Sequence, residues 1–363
     1  MKKIRVERVL REMERNALTQ IVVSDTYSIY YLTGRWIFPG ERLLALLLNL
    51  SGKHRLVVSN LYPQVPDGEL EVIYVDDIQD GVNILSGCIE KGKPIGVDKN
   101  WQAKFLLRMQ ELNPGNIFVN ASGIIDNIRM IKDTEEQDLM RKSSLINDNA
   151  MELLMELADK GFSERQLEER LRDIYSRLGA EECSFKPIIA FGKNTADPHY
   201  MPQHAKALYG DSITFDIGGK TDSYCSDMTR TIFLGEASAK QKEVYEIVLE
   251  ANLRGIAAAK PGNRMCDVDL AVRGYIESKG YGEYFPHRTG HSIGLEVHET
   301  GNVAYNNTDV IQEGQCFSIE PGIYLPEEGF GVRVEDLVLI TEKDCEVLNH
   351  YSKEFKVIPY ERQ

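Results

Sequence analysis

Apolar runs are short in this 363-residue chain: Leu43 to Leu48, the longest, has six residues, against the roughly 20 that a membrane-spanning helix requires. The opening Met1-Lys2-Lys3-Ile4-Arg5 mixes charge with apolar side chains and lacks the apolar core of a signal peptide. Positive charge is in deficit. Lysine and arginine number 42 against 56 aspartates and glutamates, a net charge of −14. Such a surface repels phosphate backbones and anionic lipid, so neither nucleic acid nor a membrane is expected as a partner. Cysteine is sparse, and Cys88, Cys183, Cys225, Cys266, Cys316 and Cys345 form no C-x-x-C pair; they read as reduced structural thiols in a cytoplasmic protein. The first half carries no nucleotide-binding glycine string. Repeats and low-complexity tracts are missing as well. What remains, 42% hydrophobic and 27% charged residues, is ordinary for a folded chain, at a length that suggests two domains.

Val6, Val9, Leu10 and Met13 recur at helical spacing and predict a helix over 3–15. Short runs at 21–23, 43–48, 56–58 and 72–75 predict strands. Gly34, Pro39-Gly40, Ser51-Gly52 and Pro66-Asp67-Gly68 mark the turns between them. A helix is expected from Trp101, with Phe105, Met109 and Leu112 inward, ending before Pro114-Gly115. A polar Ser-Gly pair interrupts the pattern and marks a domain boundary around Asn120 to Asp133, giving a small α/β domain over 1–125 and a second domain over 126–363. In the latter, Thr134-Glu135-Glu136-Gln137 and Ser163-Glu164-Arg165-Gln166 are helix-capping signatures. Helices are also expected over 238–259 and 267–279. Strands are expected around 186–191, 212–217, 224–233, 290–298, 315–324, 331–341 and 345–350. Helices and paired strands in separate blocks predict an α+β fold.

Five of the seven histidines, His199, His204, His287, His291 and His298, lie between 199 and 298. Asp216 and Asp227 flank a stretch rich in turn residues, Gly218-Gly219 and Thr221-Asp222-Ser223, so two antiparallel strands can carry both carboxylates to one point. Like carboxylates held that close repel, and one must take a proton unless a cation neutralises them. Taken alone, each aspartate is equally well read as a turn cap. Glu320 and Glu335 interrupt apolar strands, where a buried unpaired carboxylate is costly. Taken singly, Glu320 can face solvent and Glu335 can pair with Arg333. Four carboxylates with His291 form a set suited to two divalent ions of the Mn²⁺, Co²⁺ or Zn²⁺ kind.

The order Asp216, Asp227, His291, Glu320, Glu335 stands in distinctive strings: Ser226-Asp227-Met228-Thr229-Arg230-Thr231, His287-Arg288-Thr289-Gly290-His291, Val297-His298-Glu299 and Ile319-Glu320-Pro321-Gly322-Ile323-Tyr324. These resemble the pita-bread-fold metallopeptidases, and among them the Xaa-Pro branch of prolidase and aminopeptidase P. The likeness runs from about residue 120 onward; Tyr31-Leu32-Thr33-Gly34 extends it weakly into the first domain. It implies an α+β pita-bread catalytic domain preceded by a smaller α/β creatinase-like domain. It further implies two divalent metal ions per chain, Mn²⁺ before Co²⁺ or Zn²⁺. Asp216 would chelate one, Asp227 and Glu335 would bridge both, and His291 and Glu320 would complete the shells.

By the same resemblance a hydroxide bridging the ions attacks the scissile carbonyl, and Glu320 passes a proton to the leaving nitrogen. His199 and His298 contact substrate and steady the tetrahedral intermediate, and His287 lines the substrate pocket. Arg333 and Tyr324 orient ligand side chains from behind. His204 has no assigned role. The implied activity is hydrolysis between an N-terminal residue and proline in Xaa-Pro dipeptides. The alternatives are an aminopeptidase P acting on longer peptides and, from another class, a non-catalytic pita-bread binding protein. Small peptides with proline second are the implied partners, and a homodimer is the implied assembly, with Trp36 a candidate for reaching a partner's site. Two positions depart from the family pattern: Ser223 stands where glycine is usual, and Ser292 follows His291 where glycine is common.

Overall fold

Short apolar runs between turns build the first unit, residues 1–129. In α1 (Lys3–Arg15), Val6, Val9 and Met13 are buried along one side, as their spacing demands. There follow β1 (Gln20–Val23), α2 (Thr26–Thr33), β2 (Leu44–Asn49), β3 (His54–Ser59), β4 (Leu70–Val75), α3 (Gly81–Ser86), β5 (Ile95–Val97), α4 (Ala103–Leu112), β6 (Phe118–Asn120) and α5 (Ser122–Met130). The strands make one mixed sheet in the order β4-β3-β2-β1-β5-β6. There β2 is antiparallel to both neighbours and the other pairings are parallel. Val22, Leu47, Val57 and Ile95 of the sheet share a core with Val82, Leu85 and Met109 of the helices.

The computed structural model describes residues 1–64, 68 and 70–360; of the turn expected at 66–68, Pro66 and Asp67 lie outside the described residues. All four expected strands are present. The stretch from Asn120 to Asp133, expected to hold the domain boundary, carries a helix and contains the division at 129/130. The Asn120 side chain accepts from the Ser122 amide at 3.0 Å, starting α5, which buries Ile125 and Ile128. Its Ser-Gly pair is a helix start, where polar residues are favoured.

The second unit, residues 130–363, opens with α6 (Thr134–Met155) and α7 (Glu164–Leu178). The cap of α6 is Asp133, one residue before the expected Thr134: its side chain and that of Glu136 each accept from the other's amide. The chain is still extended at Asp133 (φ −71°, ψ 173°), so the helix begins only at Thr134. Ser163 and Gln166 cap α7 as expected. Next come β7 (Glu182–Cys183), β8 (Ile188–Phe191), β9 (Ser212–Ile217), β10 (Gly219–Thr221), β11 (Tyr224–Cys225) and β12 (Met228–Leu234), then α8 (Ala239–Ala258) and α9 (Met265–Ser278). The remainder is β13 (Gly290–Ser292), β14 (Glu299–Val303), β15 (Cys316–Ile319), β16 (Gly322–Leu325), β17 (Phe330–Arg333), β18 (Asp336–Ile340), β19 (Cys345–Val347) and β20 (Val357–Ile358).

Two larger sheets result, β20-β12-β9-β8 and β14-β13-β15-β18-β19, with β16-β17 as a separate hairpin and β11-β10-β7 as a small sheet. Met151 and Leu154 of α6 and Leu167 and Leu171 of α7 pack with Ile213, Phe215 and Ile232 of the first. Val244 and Val248 of α8 and Val272 and Ile276 of α9 pack with Phe317, Ile319 and Val338 of the second. This is the expected α+β segregation. The strands expected over 315–324 and 331–341 are each broken in two, at 320–321 and 334–335. Pro321 has no amide to give a ladder, and both breaks fall on candidate site glutamates.

Candidate metal centre

Strands β9 and β12 pair with Asp216 opposite Thr229 and Ile217 opposite Met228, and Asp227 immediately precedes β12. The chain between them makes the β10–β11 hairpin, turning through Asp222 (φ +47°) and Ser223 (φ +75°). The departure at Ser223 thus falls on left-handed backbone, which glycine adopts without cost. There the Ser223 amide donates to Glu181 at 3.1 Å. His291 lies in the middle of β13. Its neighbour Ser292 begins a register shift against β14, which ends the strand six residues before the 298 expected. Glu320 and Glu335 occupy the two strand breaks, and the Glu335 amide donates to the Thr229 carbonyl at 3.1 Å.

These elements bring one ligand atom from each of Asp227, His291 and Glu335 within 4.8 Å of the other two, with all three residues buried. His291 Nε2 lies 3.7 Å from Asp227 Oδ2 and 3.4 Å from Glu320 Oε1. Asp216 stands beside this group, its Oδ2 accepting from Arg333 Nη2 at 2.6 Å. Glu335 Oε2 accepts from Thr229 Oγ1 at 2.7 Å. Ser318 Oγ donates to Glu320 at 3.2 Å and accepts from the His291 amide. Arg333 therefore orients Asp216, not the nearby Glu335; the break after β17 separates the two in direction, and threonine serves Glu335.

The donor set fits a cation on three counts. His291 Nδ1 faces the Ser292 carbonyl at 3.3 Å; that oxygen only accepts, so Nδ1 carries the hydrogen and Nε2 turns a lone pair toward two carboxylates. Asp216 Oδ1 and Asp227 Oδ1 are buried without a hydrogen-bond donor, an expensive state unless something positive answers them. Burial and then mutual repulsion, chiefly with Glu335 for Asp227 and with Glu320 for Glu335, push both carboxyls well above the usual range. Burial lowers His291 to about 3, leaving a neutral imidazole of the kind metals take. Lone pairs converging from several sides suit a divalent cation.

Around it, Tyr324 OH accepts from Arg333 Nη1 at 2.8 Å and meets His287 Nε2 at 2.9 Å. His287 Nδ1 faces the Arg288 carbonyl at 2.9 Å, so Tyr324 donates to Nε2. Burial brings His287 to about 4, and both of its ring nitrogens are engaged. His298 is exposed, and its ring meets that of His291 edge-on at 4.3 Å. His199 is exposed after a turn in which its amide donates to Asp197 at 2.9 Å. His204 is exposed on the same stretch. Sequence reasoning passed over Thr229 and Ser318, whose signal was only their alternation with ligand positions.

Buried carboxylates and a neutral imidazole at the broken strands of an α+β domain make a candidate metal centre of the kind metallohydrolases use. The chain belongs to metallopeptidase family M24, which it matches over residues 138–342; residues 5–131 match the Creatinase/Prolidase N-terminal domain. It is similar to a prolidase from Thermococcus sibiricus (33% identity, TM-score 0.93, covering 99% of each chain). It is similar also to a dipeptidase from Pyrococcus horikoshii OT3 (33%, TM-score 0.92, 98% of this chain and 100% of that one). An Xaa-Pro dipeptidase from Bacillus anthracis follows it as well (30%, TM-score 0.89, 99% and 100%). The fold is accordingly the pita-bread fold of a metallopeptidase. All six cysteines are free thiols. Among the described residues no helix is long and apolar enough to cross a membrane.

Proposed function

We propose that the chain is an Xaa-Pro dipeptidase, hydrolysing the bond between an N-terminal residue and proline. The observation that carries this reading is the buried convergence of Asp227, His291 and Glu335 in a chain that follows prolidase structures end to end. Proline lacks an amide hydrogen and restricts the residue before it, so general peptidases handle such bonds poorly. A dedicated site answers that difficulty.

The reading assigns two divalent ions per chain, Mn²⁺ before Co²⁺ or Zn²⁺. Asp227 and Glu335 would be shared, with Asp216, His291 and Glu320 completing the set. When bound, such ions supply Lewis acidity and lower the pKa of water. The chain's own residues do the rest. Arg333 and Thr229 hold Asp216 and Glu335 in orientation. Glu320 moves a proton to the leaving nitrogen. His199 and His298 donate to the carbonyl oxygen as charge develops there. Tyr324 fixes His287 as a neutral wall of the substrate pocket.

Catalysis is assigned to residues 126–363. For 1–125 we propose a pairing role in a homodimer: Trp36 stacks between Tyr30 (4.1 Å) and Phe38 (5.5 Å), and Phe38 is 63% exposed. The free thiols support a reducing, cytoplasmic setting. The test is hydrolysis of Xaa-Pro dipeptides beside Xaa-Pro-Xaa tripeptides in added Mn²⁺. Dipeptides are expected to be cleaved and tripeptides poorly. Faster tripeptide cleavage would make the chain an aminopeptidase P, and cleavage of neither by metal-loaded protein removes the peptidase reading.

A further inference from the structure

His199 lies on a long connection between β8 and β9, residues 192–211, which contains one short 3₁₀ turn over Gly192–Ala196 and no other regular element. Loops of that length hold one conformation only when something ties them down. Here the tie is Glu164, the first residue of α7. It is 0% exposed, yet among the described residues no arginine, lysine or histidine pairs with it. Four donors from the connection and its threshold converge on it instead. Oε1 accepts from the Phe191 amide at 3.0 Å and from Asn194 Nδ2 at 2.8 Å. Oε2 accepts from Tyr200 OH at 2.9 Å and from the Gln203 amide at 3.0 Å. The backbone adds two more links, Glu164 amide to Ala205 carbonyl and Arg165 amide to Gln203 carbonyl. The carboxylate also sits on the positive end of the α7 dipole, which lowers the cost of its charge.

The contacts at 194, 200 and 203 bracket His199 from both sides. We infer that Glu164 is a positioning residue: by gathering these donors it sets the place of His199, although its carboxylate's hydrogen bonds go to Phe191, Asn194, Tyr200 and Gln203 and to none of the candidate metal ligands. The inference rests on the proposed peptidase activity and on the role given there to His199. A carboxylate suits the task because both oxygens only accept, and all four partners donate through these contacts. Glutamine has nearly the same shape but presents an amide nitrogen to two of the donors, so half of the clamp is opposed.

The test compares the metal-loaded parent, Glu164→Gln, His199→Ala and the double variant on Xaa-Pro dipeptides. Glu164→Gln is expected to lower kcat about tenfold or more with a smaller change in KM, because misplacing a group far from the chemistry acts on the reacting geometry. In the His199→Ala background the same change is expected to cost less than about threefold, since there is no longer a histidine to misplace. A merely structural role gives losses that multiply in full. Trypsin cleavage after the exposed Lys193 is a readout free of activity, and it is expected to quicken in Glu164→Gln well below the unfolding temperature. Tyr200→Phe removes a single donor from the clamp and carries the same test if Glu164→Gln does not fold. Multiplying losses, or trypsin cleavage at the parent rate, overturns the inference. A parent that cleaves no Xaa-Pro peptide sinks the activity reading instead, and the trypsin comparison then decides the role of Glu164 alone.

Discussion

At the scale of single residues, the centre is a matter of unanswered lone pairs. Asp227 and Glu335 are each proposed to be shared between ions, so neutralising either should remove metal together with rate. Asp227→Asn or Glu335→Gln is expected to lose metal on elemental analysis and to fall below detectable turnover. A variant that keeps two metals and near-native kcat would show the assigned bridge to be wrong. His199→Ala and His298→Ala should behave differently, because neither residue belongs to the clustered ligand atoms. Both variants are expected to retain metal while kcat drops by about 10²–10³, the usual loss for one donor to developing charge. A kcat within about threefold of the parent returns that histidine to an ordinary surface role.

At the scale of elements, the chain shows where its local choices agree with the fold and where they do not. Gly34 and Gly179 end α2 and α7 in left-handed conformation, but after α1 the same conformation falls on Ala17, with φ +54°. Ala17→Gly should therefore raise stability by about 0.5–1 kcal/mol, the Cβ strain relieved less the extra entropy of glycine in the unfolded chain. The urea midpoint at unchanged slope measures it. Much of the architecture was legible because it is periodic. The α1 stripe, the capped start of α7 and the six-residue strands of the first unit all follow from spacing and cap chemistry. The elements β5, β6 and α3 escaped because three to six residues cannot display a period. In the site, Asp227, His291 and Glu335, which the structure brings together, all stood in the ordered strings. The partner of Arg333 was not legible: a strand alternation places 333 and 335 on one side, but the chain leaves its ladder between them, and the guanidinium crosses to Asp216 on another strand. Glu164 was read as part of a cap, because nothing in its own helix announces donors thirty residues away.

For the whole molecule, metal and fold are expected to be linked. Exhaustive chelation should abolish activity and lower Tm, because four inward carboxylates are then left with little besides Arg333 to offset them. Readdition of Mn²⁺ or Co²⁺ should restore both, with stabilisation of about 4 kcal/mol for each ion bound when free metal is a thousandfold above its Kd. Scanning calorimetry beside elemental analysis decides the matter; full activity with no metal left rules out the metal-dependent reading. The contacts that shape the centre join distant stretches: Thr229 meets Glu335 across 106 positions, and Arg333 meets Asp216 across 117. Contacts of such separation are expected to close late, after the loop entropy between them has been overcome. A half-made chain thus offers scattered acids and a solitary imidazole, with no cage to capture whichever ion stands highest in the Irving–Williams order. Ion choice falls to the finished cavity and to the ions on hand when it closes. On the proposed ligand set, the same polypeptide produced in two hosts with different metal pools is therefore expected to leave each carrying a different ion.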